Sequence, residues 1–268
     1  VKFWGVRGTC PRSELHFSKF GGSTSCVEAT LGTDHFIFDA GSGLIALGED
    51  ILTRKKSHQY NFLISHFHID HLMGWPFFVP AYRSDYCFDF YAAELGKATL
   101  KRALSNLMSP PYFPVGMKVM KSKLNFHSFT KGAVFNWQNA QIKTHALNHP
   151  GGSTGYRLDA NGISLCYITD HEHVVGQRND ALIDFIKNCD LLIYDSTYDD
   201  DEFHQFVGWG HSTWQEGLRI AKAGNVKKYA IFHHSPTRKD ECLERIDAQA
   251  KKKMKGAFVA RQNDVITL

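Results

Sequence analysis

No stretch of these 268 residues is apolar and uncharged over a membrane-spanning length, which sets aside a helical membrane protein. No signal-peptide pattern opens the chain, and with Val1 rather than Met in first place the natural start is expected to lie elsewhere. Closely spaced cysteines are missing as well: Cys10, Cys26, Cys87, Cys166, Cys189 and Cys242 include no CxxC pair. They form no tight framework, which leaves disulfides as the lesser reading. The pattern fits small buried hydrophobes in a reducing cytoplasm. Surplus charge is slight, +4 from 31 basic and 27 acidic residues. This is no nucleic-acid footprint, although its sign favours an anionic substrate a little. Repeats, low-complexity tracts and linkers are absent. With 43% hydrophobic and 22% charged residues the composition is globular, and 1–268 is read as one domain. What the chain has in excess is histidine, 15 residues, and position must decide which of them matter.

Short apolar runs bounded by turn residues predict strands at 27–31, 36–39 and 61–65. After Gly41-Ser42-Gly43, apolar residues at helical spacing predict a helix over 44–53. A second helix is expected over 95–108, ending before Pro110-Pro111, because a residue preceding proline avoids helical geometry. Strands follow near 124–129, 141–147, 155–158 and 163–168. The last third alternates helix 180–187, strand 191–194, helix 213–223, strand 229–232 and helix 240–253, with two short strands to the end. Blocks of strands punctuated by helices bury all their faces as two packed sheets with helices outside, an α/β (α+β) architecture.

The chemistry concentrates where the strand at 61–65 runs into His66-Phe67-His68-Ile69-Asp70-His71. Side chains two apart along an extended exit point the same way, so His66 and His68 can grip one ion. Asp70 and His71, on the following turn, can grip a second. Imidazole and carboxylate donors suit zinc, and also manganese or iron. A polar surface loop is the bland alternative, and four side chains cannot complete two coordination shells. Further donors are therefore expected just beyond apolar strands. His149, Asp170 and His233 stand in such places, with Asp170 the candidate to bridge two ions. Taken singly, each could be a structural histidine or a capping aspartate; it is the recurrence that favours ligation.

The His66–His71 run together with His149, Asp170 and His233 resembles the metallo-β-lactamase superfamily, and the likeness spans essentially the whole chain. Phe38-Asp39-Ala40-Gly41-Ser42-Gly43 looks like the turn that this family places beside its metals. The resemblance implies an αββα sandwich with a dinuclear site at one edge of two mixed sheets. It also implies that His66, His68 and His149 hold one ion and that Asp70, His71 and His233 hold the other. Asp170 would bridge them.

Tyr194-Asp195-Ser196-Thr197 and Gly210-His211-Ser212-Thr213 look like paired motifs of the tRNase Z-like phosphodiesterase branch. By that likeness His211 donates a proton or clamps the phosphate, Asp195 orients it, and Asp70 serves both metal and nucleophile. Tyr194 and Asp195 depart from the histidine and glutamate usual there. Residues 203–208 are too few for a tRNA-gripping arm. Lys2-Phe3-Trp4-Gly5-Val6-Arg7-Gly8, the Gly21-Gly22 loop, Tyr167–Glu172 and Phe232–Pro236 look like a cyclic-nucleotide-phosphodiesterase-like bacterial subgroup. The expectation is a cytoplasmic, dimeric, dinuclear phosphodiesterase using metal-activated water on a small cyclic nucleotide. An RNA endonuclease and a non-catalytic nucleotide sensor are the alternatives. His171, His173 and His234 neighbour the expected ligands, with His234 the runner-up to His233. Trp75, Phe77, Phe78, Tyr82, Tyr112 and Phe113 would either wall a base-sized pocket or pack the core.

Overall fold

The structure, a computed structural model, describes residues 1–54, 58–94, 99–137 and 139–268. A first sheet contains β1 (Lys2–Gly5), β2 (Cys26–Leu31), β3 (Asp34–Phe38), β4 (Gln59–Ile64), β5 (Cys87–Ala93) and β6 (Lys123–Phe129), in that order. Its first three strands are antiparallel neighbours, and β3 to β6 run parallel. A second sheet contains β7 (Val134–Trp137), β8 (Ala140–Leu147), β9 (Ser153–Ala160), β10 (Ile163–Ile168), β11 (Leu191–Asp195), β12 (Lys228–Phe232) and β13 (Ala257–Val259). Here β7 to β10 are antiparallel and β10 to β13 parallel.

The helices are α1 (Gly43–Thr53), α2 (Leu100–Leu107), α3 (Asp180–Ile186), α4 (Asp200–Phe203), α5 (Trp214–Ala223) and α6 (Asp240–Lys253). Between the sheets lies an aromatic-rich core that includes Phe3, Phe38, Tyr156, Tyr167 and Phe232. Leu44, Leu47 and Ile51 of α1 cover the outer face of the first sheet against Phe62 and Trp75. Leu182, Leu218 and Leu243, from α3, α5 and α6, cover the outer face of the second against Tyr194 and Ile231. Two mixed sheets flanked by helices are the expected sandwich. Among the described residues no helix is long and apolar enough to cross a membrane. All six cysteines are free.

Three strands escaped the sequence pattern. β5 is a parallel strand paired on both sides and buried almost throughout, so it carries no alternation to read. β1 and β7 have only four residues each. At the C-terminus one strand, β13, replaces the two expected; Val265 makes only an isolated bridge to Lys2. The predicted helix over 95–108 is observed as α2; its first part, 95–98, lies outside the described residues.

Backbone geometry divides the turns into two kinds. Among the described residues, eight other than glycine have positive φ, and four of them are asparagines in turns: Asn161, Asn188, Asn225 and Asn263. Asparagine enters this region at little cost. The other four are Thr9, Asp39, Asp170 and His233, at φ of +65°, +60°, +52° and +60°. Three of these follow the C-terminal ends of β3, β10 and β12. All four converge on one edge of the sandwich.

Candidate metal centre

The apolar strand β4 delivers its exit to this edge, and Asp39 fixes the exit there. Ser65 donates its backbone N–H and its hydroxyl to the Asp39 carboxylate at 2.7 and 2.8 Å. The Tyr167 hydroxyl donates to the same group at 2.8 Å, and His71 Nδ1 lies 2.7 Å from it. Asp39 thus ties the ends of β3, β4 and β10 to the short helical turn Ile69–His71. With Nδ1 engaged, His71 presents Nε2 to the interior.

Asp170 occupies the middle. Its Oδ2 lies 3.6 Å from His66 Nε2 and 3.7 Å from His149 Nε2. Its Oδ1 lies 3.1 Å from His71 Nε2 and 3.2 Å from His233 Nε2. One carboxylate therefore faces two donor groups with different oxygens. His66, His68, His149 and Asp170 bring one ligand atom each to within 4.8 Å of one another, and so do Asp70, His71 and His233. His68 Nδ1 stands 3.1 Å from His149 Nε2. Asp70 Oδ2 receives the backbone N–H of Thr9 at 2.8 Å and lies 3.2 and 3.4 Å from His71 and His233.

The donor set fits two divalent ions, on an observation independent of the resemblance. The Nε2 atoms of His66, His71 and His233 are buried without a hydrogen-bond partner. A buried polar atom without a partner is costly, and three aimed at one carboxylate call for a ligand between them. Their opposite nitrogens are engaged: Asp39 on His71, Thr197 Oγ1 at 3.1 Å on His233, and Ser65 Oγ at 3.0 Å on His66. Such outer partners hold each ring in a ligating orientation.

A third overlapping group contains Asp170, Asp195, His211 and His233. His211 Nδ1 is 2.8 Å from Asp195 Oδ2, whose other oxygen receives the Thr197 hydroxyl and two backbone N–H groups. Burial alone would lower the His211 pKa, but the Asp195, Asp170 and Asp70 carboxylates outweigh it and raise it to about 9. Thr213 caps α5 by accepting the Glu216 N–H at 3.0 Å, which seats His211 and Ser212 at the helix entrance. Tyr194, where the likeness led to a histidine, is fully buried and donates to Ser212 Oγ at 2.9 Å. On the other flank the Gly210 carbonyl lies 2.7 Å from His149 Nδ1. Gly210 has φ +85°, and a Cβ there would meet His149 Nδ1 at 2.2 Å, so only glycine allows this approach.

All seven residues expected to bind metal, and His211 with Asp195, therefore meet at one edge. The neighbouring histidines do not join them. His234 turns away to the Ala260 carbonyl at 2.8 Å, and burial lowers its pKa to about 3. His171 lies beneath the Asn148 turn, accepting that residue's N–H at 3.3 Å. His173 meets Ser212 Oγ at 2.7 Å. The six aromatics divide: Trp75 and Phe78 are core, Tyr82 is part-buried, and Phe77 and Tyr112 are exposed. Phe113 packs edge-on against Phe77. Sequence reasoning gave no role to Thr9, Ser65 or Glu172. The Thr9 donor is a backbone N–H, which leaves no side-chain signal; Ser65 was read only as the end of the strand at 61–65, and Glu172 only as part of the Tyr167–Glu172 likeness.

Comparison with known proteins speaks to the family and the fold. The family model for the Beta-lactamase superfamily domain matches residues 35–234. A ribonuclease Z of Sulfurisphaera tokodaii is 24% identical over 266 residues, covering 83% of this chain and 86% of the relative. Human tRNase Z, short form, superposes with a TM-score of 0.72 at 20% identity, covering 99% of this chain and 98% of that one. Unliganded yeast PDE1 superposes with a TM-score of 0.62 at 11% identity over 96% of each chain. At those identities the two structures speak for the fold alone.

Proposed function

This chain belongs to the metallo-β-lactamase superfamily, as a hydrolase of its tRNase Z-like branch, and from that premise we propose a dinuclear metal-dependent phosphodiesterase. The proposed substrate is a small anionic phosphodiester, a cyclic nucleotide first, and the working unit a homodimer of single-domain chains. The observation that carries the reading is Asp170, with one oxygen toward His66 and His149 and the other toward His71 and His233. In this proposal His66, His68 and His149 hold one ion, Asp70, His71 and His233 the other, and Asp170 both. Zinc suits the imidazole-rich set best, with manganese or iron also compatible. Bound there, two divalent ions would supply Lewis acidity, making water available near neutral pH and offsetting charge on the phosphoryl oxygens.

The chain's own residues would do the rest. Asp195 accepts from His211 Nδ1, which keeps the ring oriented and leaves Nε2 free to meet a leaving oxygen. The Asp195 carboxylate beside Nδ1 favours the protonated ring that a donor requires. Asp39 and Thr9 hold His71 and Asp70 against displacement when an anion enters. Cyclic nucleotides are placed ahead of RNA because the net charge is only +4 and residues 203–208 leave no room for a long arm. The RNA endonuclease reading draws its own support from the ribonuclease Z relative.

Elemental analysis of purified protein should find close to two ions per chain. The metal-loaded protein is then offered 3′,5′-cyclic nucleotides, cyclic dinucleotides, and structured and single-stranded RNA. Cleavage of the cyclic mononucleotides ahead of RNA supports the proposal. Cleavage of RNA alone assigns the site to an endonuclease, and tight nucleotide binding without turnover in zinc or manganese makes the chain a sensor. Protein that takes up no metal ends the reading.

A further inference from the structure

We propose that Trp209, held out on a rigid strap beside His211, is the surface on which the phosphodiester's nucleobase stacks; this deepens the phosphodiesterase reading and rests on it. Trp209 leaves 63% of its surface exposed, an unusual position for the largest apolar side chain. Exposure of this kind usually accompanies a mobile loop, but here the backbone is pinned on both sides of the ring. The Glu172 carboxylate receives the N–H of Gly208 at 2.8 and 2.9 Å and the N–H of Gly210 at 2.6 Å. Both glycines have left-handed φ, +90° and +85°, the conformation that turns alternate N–H groups toward a single anion. The Trp209 N–H donates in turn to the Phe206 carbonyl at 3.0 Å.

The ring is tied to the site by a second route. Trp209 meets Phe206 edge-on at 5.6 Å, Phe206 stacks on Tyr198 at 4.2 Å with 3° between planes, and Tyr198 meets His211 at 6.1 Å. One residue further along the chain, the Gly210 carbonyl engages His149. A flat π-face is thus ordered in advance within two residues of the proposed proton donor. Ordering before binding spares the ligand that entropy, and aromatic stacking accepts any base because every base has a π-face. Glu172 acts as a positioning residue: its single carboxylate fixes both the strap and, through Gly210, the turn carrying His211.

The test compares two esters that release the same nitrophenolate, thymidine 5′-(p-nitrophenyl) phosphate and methyl p-nitrophenyl phosphate. Stacking of one base should be worth about a tenfold or larger factor. In Trp209→Ala the preference for the thymidine ester, as a ratio of kcat/KM values, should fall by about that factor, mainly through KM. Trp209→Phe should keep most of the preference, and Glu172→Ala should lose part of it. An unchanged ratio in Trp209→Ala overturns the proposal. Indole emission gives a readout without turnover: adenosine 5′-monophosphate should quench the native protein more than inorganic phosphate does, and the difference should vanish in Trp209→Phe. If neither ester is cleaved, the phosphodiesterase reading fails while the quench still decides the stacking. Equal quench in both proteins overturns it. So does a lower sedimenting mass in Trp209→Ala with the ratio unchanged, which would make the indole a contact between copies of the chain.

Discussion

The two donor groups that share Asp170 are built from different material. Around Asp70, His71 and His233 the rings are fully buried, and they are backed by Asp39, Thr197 and the Thr9 backbone. Around His66, His68 and His149 the backing is a serine hydroxyl and one glycine carbonyl, and His68 is exposed. In the first group a buried carboxylate, a threonine hydroxyl and a backbone N–H hold the donors; in the second the buried backing groups are neutral and His68 stands at the surface. An ion in the sealed group should therefore leave slowly and one in the open group readily, although the primary donors are of similar chemical type.

Substitutions can break or sharpen that contrast. The largest effect should come from Asp170→Ala, which takes a donor from both groups: elemental analysis should find fewer than one ion per chain, and two ions retained would refute the shared role. For His211→Ala both ions should remain while turnover falls by roughly a hundredfold or more, the usual scale for a lost proton donor. The fall should be steeper for esters with poorer leaving groups; equal losses across leaving groups would remove His211 from proton transfer. With Asp39→Asn the sealed group, whose His71 ring Asp39 meets directly, should weaken by about ten- to a hundredfold in affinity, and the open group, reached only through Ser65, should weaken less. Competition with a chelator should then find one ion lost early, and equal weakening of both would dissolve the distinction.

The smallest effect should come from Glu28, none of whose partners belongs to either group. Burial works against its ionised form, but bonds from Arg54, His35 and Trp4 overcome that and depress its pKa to about 2 from 4.5. A carboxylate with a depressed folded pKa stabilises above its unfolded value and loses that contribution as pH falls through the folded one. Glu28 should thus contribute roughly 3 kcal/mol near neutrality, disappearing between about pH 4.5 and pH 2. Melts of Glu28→Gln against the native chain over that range check it: the gap should close on acidification while metal content at neutral pH stays equal.

Much of this was legible in the chain. The His66–His71 run could be read because its donors are adjacent and follow an apolar strand, and His149, Asp170 and His233 because each repeats that placement. His233 was preferred to His234 because it directly follows the strand, but the sequence did not show why His234 turns away. The choice depends on a left-handed residue at the strand end, which turns the following side chain toward Ala260. Asp39 was visible only as part of a turn, since its three partner residues, Ser65, His71 and Tyr167, come from distant segments. β5 was hidden for the opposite reason: burial on both faces erases the periodicity on which strand prediction relies.

The left-handed backbone at Thr9 and Asp170 has a consequence for how such a chain drifts under selection. Each non-glycine residue held there costs about 1 kcal/mol or more, which glycine would recover. A library sorted solely for survival of heating should accumulate glycine at these two positions. At position 170 that gain removes the shared carboxylate, so the most heat-tolerant descendants would include silent ones.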